Sequence, residues 1–132
     1  YVYREGKATK DQYALSNIRG RVENRDGEAI LEAAKRVRKH TSGHCIMFVI
    51  SDGQPCALNY WGKPAIKDVR KKVTQVEKMD FSVIQVSIDH VADANEMFSH
   101  CISLEHDVAN FPKRLSKVIK DAIVSDKKTT IS

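Results

Sequence analysis

The sequence predicts an α/β fold with a mostly parallel sheet and helices on both faces. Three observations predict it. Segments of helical spacing alternate with short apolar runs, which is the pattern of strand–helix–strand crossovers. One run, Cys45-Ile-Met-Phe-Val-Ile50, is apolar without a break, as in a strand covered on both faces. It stops at Ser51-Asp52-Gly53-Gln54-Pro55, a turn cluster that puts a carboxylate at a strand's carboxyl end.

The elements follow in order. Tyr1–Tyr3 reads as the end of a strand. Residues 5–24 are polar and turn-rich, with a short helix expected around Asp11–Asn17. Ala29, Ile30, Ala33, Ala34 and Val37 fall on one helical face, with Asp26 placed before the helix to cap it. Thr41-Ser42-Gly43 ends it. The strand Cys45–Ile50 is expected at the centre of the sheet. A loop over residues 53–63 leads to a helix after Pro64, which suits a first turn. That helix buries Ile66, Val69, Val73 and Val76. Phe81–Ile88 is the next strand, Asp93–Phe98 a short helix and Cys101–Leu104 a short strand. A last helix region opens at Asp107, with Pro112 breaking its first turn and Leu115, Val118, Ile119, Ala122 and Ile123 buried. Residues 125–132 read as a frayed, flexible tail.

At 132 residues the chain fits one domain, assigned to 1–124. Such a length buries roughly two-thirds of the unfolded surface, enough for a core without disulfides. Hydrophobic residues make up 42% and charged residues 30%, a globular balance. The longest apolar run is far short of the ~20 residues of a membrane span. The start at Tyr1 is neither a signal peptide nor an initiator methionine, which suggests a piece of a longer protein. Cys45, Cys56 and Cys101 lack metal-knuckle spacing, so buried thiols in the cytoplasm are expected. The net charge of +5 is spread over Lys35, Arg36, Arg38 and Lys39, then Lys67, Arg70, Lys71 and Lys72, then Lys113, Arg114, Lys117 and Lys120. Solvated helix faces explain these clusters; an acidic partner or nucleic acid is the sharper reading.

The candidate chemistry is at the acidic turn. In parallel sheets ligands bind at the carboxyl ends of strands. A hard cation such as Mg²⁺ accepts one or two carboxylates and keeps several waters. Asp26 and Asp52 are the candidate ligands. Gly53 lets the chain turn and Pro55 stiffens the loop. Caps and turns explain the same residue types. Tyr60-Trp61 reads as a lid over the sheet or as a partner-facing patch. Asp89 and His90 follow a strand and read as surface residues. His40, His44, His100 and His106 show no zinc spacing. Cys56 has no neighbouring cation to activate it. Gly-rich phosphate loops and a Ser-His-Asp arrangement are not legible, so no catalysis is expected.

The stretches ENRDGEAILEAAKRV, IMFVISDGQP, YWGKPAIKDVRKKV, SVIQVSIDH and DVANFPKRLSKVIKDAI together resemble the von Willebrand factor A (vWA) domains. The likeness runs from about Val22 to Val124. It is greatest to the bacterial branch in the cobalt-chelatase large accessory subunit and in nitric-oxide-reductase activation proteins. Its motifs are Asn24-x-Asp26-Gly27-Glu28-Ala29 and Ser51-Asp52-Gly53-x-Pro55. The resemblance implies a Rossmann-like three-layer fold and a metal-ion-dependent adhesion site with Mg²⁺ bound by Asp26 and Asp52. Ser51, Gly53, Gly27 and Asn24 would support it, with Tyr60 and Trp61 facing a partner. It implies a protein partner: a MoxR-type AAA+ ATPase and a metalloenzyme target, as in cobaltochelatase and cobalamin biosynthesis. The family's Asp-x-Ser-x-Ser motif occurs nowhere in the sequence. On this likeness the first strand, its loop and the first helix are lacking, Mg²⁺ binding is weak or lost, and a free sheet edge invites self-association. Two other functions compete. A receiver-like phosphoacceptor also has an Asp after a core strand, but the acidic pair and late Lys it needs are not visible. A basic nucleic-acid-binding module would use the cationic helices, without a recognisable recognition motif.

Overall fold

The structure, a computed structural model, describes residues 25–52, 61–88, 94–104 and 107–131, with side chains to Ser125. The expected strand at Tyr1–Tyr3, the helix around 11–17, Asn24, Gly53, Pro55, Cys56, Tyr60, Asp89, His90 and His106 lie outside the described residues. The elements run α1 (Asp26–Arg38), β1 (Cys45–Ser51), α2 (Gly62–Glu77), β2 (Phe81–Ser87), α3 (Ala94–Met97), β3 (His100–Ser103) and α4 (Phe111–Ile131). The three strands form one open, all-parallel sheet in the order β1-β2-β3. The fold is α/β.

β2 is central. Its seven residues are all buried, including Ser82, Gln85 and Ser87. A strand covered on both faces needs no polar alternation. β1 pairs with β2 from Cys45↔Phe81 to Ser51↔Ser87. Contrary to the expectation of a central, doubly covered strand, β1 is an edge among the described residues. Cys45, Met47 and Val49 pack against the core, whereas Ile46, Phe48 and Ile50 are 36%, 45% and 69% exposed. A continuous apolar run announces a strand but not its neighbours.

The main core joins α1, α2 and the odd-numbered strand residues. It contains Ile30, Leu31, Ala34, Val69, Val73, Val76, Phe81, Val83, Met97 and Phe98. α2 buries Val69, Val73 and Val76 as its spacing predicts, with Ile66 half-buried. α1 turns one residue from the expected face. It buries Gly27, Ile30, Leu31 and Ala34, and leaves Ala29, Ala33 and Val37 exposed. Both sets have i, i+3, i+4, i+7 spacing, and burying Leu31 removes far more apolar area than burying Ala33. α4 packs on β2 and β3, on the side of Ile84 and Val86, with Ala122 fully buried. Arg114 near its start donates to the Ser103 carbonyl at 2.8 Å. Pro112 sits inside the first turn, where the missing N–H costs nothing. The α4 backbone stays helical to Ile131, past the point where the sequence reading places a frayed tail.

Candidate functional site

α1 and β1 run in opposite directions, which decides where the acidic residues go. The end of α1 is tied to the amino end of the sheet. Arg38 donates to the Asp80 carbonyl at 3.2 Å, just before β2. The Thr41 amide and hydroxyl both donate to the Val37 carbonyl, at 3.1 and 3.0 Å, closing the helix. Thirteen residues of helix rise about 20 Å, close to the length of a seven-residue strand. The start of α1 therefore lies level with the carboxyl rim, where β1 ends. Asp26 and Asp52 are both at that rim.

Asp26 is the first residue of α1 rather than its cap; Arg25 holds the cap position, and its side chain does not cap the helix. With Glu28 it sets negative charge against the positive end of the helix dipole. Asp26 is half-buried and Asp52 is exposed. Gly27 is buried against the neighbouring packing. Ser51, the last residue of β1, accepts a 3.2 Å bond from Gln85 Nε2. Gln85 is 1% exposed and its Oε1 has no hydrogen-bond partner. Trp61 precedes α2 and is 71% exposed; Ile88, after β2, is 54% exposed. Gly62 takes φ +64°, a left-handed turn that suits glycine as α2 begins.

The rim is braced by an ion pair between helices. Lys72 Nζ lies 2.6 Å from Glu28 Oε1. That bond raises the Lys72 ammonium above its ordinary range. On α1, the Lys35 bond at 3.0 Å holds the Glu32 carboxyl below its ordinary range.

Two carboxylates at one rim suit a hydrated hard cation, but its shell needs further oxygens. Among the described residues no group of three or more His, Cys, Asp and Glu side chains is gathered for a metal. Ser51 is engaged with Gln85, so its hydroxyl serves the sheet in this arrangement.

The opposite end of the sheet carries a constellation that no local motif reveals. His44 Nδ1 lies 2.9 Å from Asp80 Oδ1, and His44 Nε2 lies 2.8 Å from Ser82 Oγ. The order is that of a hydrolytic triad. Ser82 is 1% exposed within β2, which leaves no nucleophile within reach of a substrate. The row is a clamp between the start of β1 and the turn before β2. Nearby, the Arg38 guanidinium stands 4.6 Å over the Phe81 ring. Lys35, Arg36, Arg38 and Lys39, with Glu32 and Met79, line an open cleft of about 520 Å³. No helix among the described residues is long and apolar enough to cross a membrane.

Compared with known proteins, the chain matches no family model, no curated protein and no solved structure.

Proposed function

We propose that the chain is a vWA-type protein-interaction domain that recognises its partner through a divalent cation. The reading rests on the sequence likeness and on one structural observation. Asp26, opening α1, and Asp52, closing β1, belong to the same rim of a parallel sheet, where α/β folds bind ligands. In this reading Asp26 and Asp52 hold Mg²⁺, and an acidic side chain of the partner completes its shell. Ser51, Gly27, Gly53 and Asn24 shape the loops around the ion. Tyr60 and the exposed Trp61 meet the partner. The ion supplies a positive bridge between two acidic surfaces, and no bond is made or broken. The partner is a MoxR-type AAA+ ATPase in a chelatase or metalloenzyme-maturation assembly, and the setting is cytoplasmic.

The test is capture of a purified MoxR-type ATPase, in Mg²⁺ and in EDTA. It is run with this chain and with a version to which an Asp-x-Ser-x-Ser segment is added. Mg²⁺-dependent capture, stronger with the added segment and lost in Asp52→Ala and in Asp26→Ala, is the expected result. Capture that ignores EDTA and both substitutions rejects the metal bridge.

The cleft at the amino end supports a second reading, a site for a polyanion. Arg36 and Lys39 are exposed on it. Glu32 in the same lining and the engagement of Arg38 with Phe81 and Asp80 count against it. Binding to an oligonucleotide that falls steeply with salt and is lost in Arg36→Glu/Lys39→Glu would favour it.

A further inference from the structure

We infer that Gln85 is a positioning residue of the rim site: its buried Oε1 accepts a hydrogen bond from water in the shell of a divalent cation held at Asp26 and Asp52. The inference rests on the cation-binding part of the proposed function and is independent of the partner named there.

Gln85 leans toward the rim. It alternates with Ile84 and Val86 and shares the face of Phe81 and Val83, which pack with α1 and α2 in the core. In register it stands beside Val49. Its Nε2 nevertheless reaches Ser51 Oγ at 3.2 Å, two residues nearer the carboxyl end. The amide therefore lies next to the residue that precedes Asp52, on the face over which α1 opens with Asp26.

Holding the strands together does not explain this side chain. β1 and β2 pair without a break from Cys45↔Phe81 to Ser51↔Ser87, so the backbone already fixes the strand ends. Gln85 is 1% exposed, and among the described residues its Oε1 has no hydrogen-bond partner. A buried acceptor without a donor is costly, and such a group in a folded protein points to a bound water or ion.

The surroundings decide what that ligand is. Asp26 and Asp52 make the rim acidic, which favours a cation and its hydrogen-donating waters over an anion. Mg²⁺ takes one or two carboxylates and keeps several waters. Those waters need acceptors beyond the ion, and an amide oxygen serves without burying a further charge. Ser51 is already engaged by Nε2, so Oε1 is the oxygen of this pair left to accept. Residues that act on a metal in this indirect way typically change its affinity about 10–100-fold when removed.

Titration of the ¹⁵N-labelled 132-residue chain with millimolar MgCl₂, followed by nuclear magnetic resonance, tests this. The Gln85 side-chain amide signal is expected to shift together with the backbone amides of Asp26 and Asp52 and to saturate with the same dissociation constant. Gln85→Met weakens Mg²⁺ binding about 10-fold. Its thermal midpoint in EDTA equals or exceeds that of the wild type, so the loss is not one of folding. Mg²⁺ raises the wild-type midpoint more than that of Gln85→Met at equal concentration. Gln85→Glu, which keeps an acceptor in place, binds Mg²⁺ at least as tightly as the wild type. Equal affinity in the wild type and Gln85→Met overturns the inference and leaves the metal-bridged reading standing. Absence of any Mg²⁺-linked shift at Asp26, Asp52 and Gln85 also overturns it. Gln85-dependent Mg²⁺ binding without Mg²⁺-dependent capture of the ATPase rejects the partner and keeps the inference. Should Gln85→Met fail to fold, the side-chain signal in the wild type still decides.

Discussion

His44 Nδ1 lies 2.9 Å from Asp80 Oδ1, joining residues 36 apart in sequence at the amino end of the sheet. Asp80 has φ +65°, the one described non-glycine residue in the left-handed region. Asp and Asn tolerate that region better than other residues with a Cβ. The position thus needs both a tolerant backbone and an acceptor for His44. Asp80→Asn keeps both and is expected to change stability by less than about 0.5 kcal/mol. Asp80→Ala loses both and costs about 1–2 kcal/mol. Asp80→Gly relieves the backbone but loses the bond, and falls between them. Urea unfolding of the three variants checks the order.

Ile84 measures how firmly β2 anchors the fold. It is fully buried on the α4 side of the central strand. Ile84→Ala is expected to cost about 2–5 kcal/mol, the range for a large side chain deleted from a packed core. Trp61→Ala, at an exposed rim position, should cost less than about 0.5 kcal/mol. Equal losses at the two positions would contradict the burial described.

Gln85 is a polar side chain kept at a cost. Its Nε2 reaches Ser51, but its buried Oε1 has no partner. An unsatisfied buried acceptor destabilises, while an apolar group of similar volume does not carry that penalty. Gln85→Met is therefore expected to be neutral or stabilising by up to about 1 kcal/mol. Gln85→Ala, which leaves a cavity, is expected to destabilise. Thermal midpoints of both variants decide between a purely structural glutamine and one whose oxygen gains a partner from bound water.

Cys101 links burial to pH. Its Sγ donates to Asn95 Oδ1 at 2.8 Å, and burial raises the thiol above its ordinary value of 9.0. The unfolded thiol begins to ionise near 9.0 while the folded thiol keeps its proton. That contribution to stability is complete below 9.0 and is lost as pH rises through the folded value. Cys101→Ala should flatten this part of the stability profile. Peptide mapping after iodoacetamide treatment at mildly alkaline pH should show Cys101 reacting more slowly than a free thiol.

The strands and helices with strong apolar spacing were legible from the sequence. β2 and α2 carry valine and isoleucine at positions that admit one reading. α1 was legible as a helix but not in its rotation, because Ala29 and Ala33 compete with Gly27 and Leu31 on spacing alone. β1 was legible as a strand, but its place at the edge of the described sheet was not, since an uninterrupted run says nothing about which strand pairs where. The two rim carboxylates could be named because each adjoins an element boundary. The row Asp80–His44–Ser82 could not, because its members are brought together by a helix and two strands and share no local motif.

The His44 clamp and the rim carboxylates lie at opposite ends of the same three strands. A surface tether or a fluorophore attached near Ser42 would therefore hold the molecule by its far end. Such a label would leave the exposed Asp52 and Trp61 unobstructed, with the attachment chemistry about a strand length away from them.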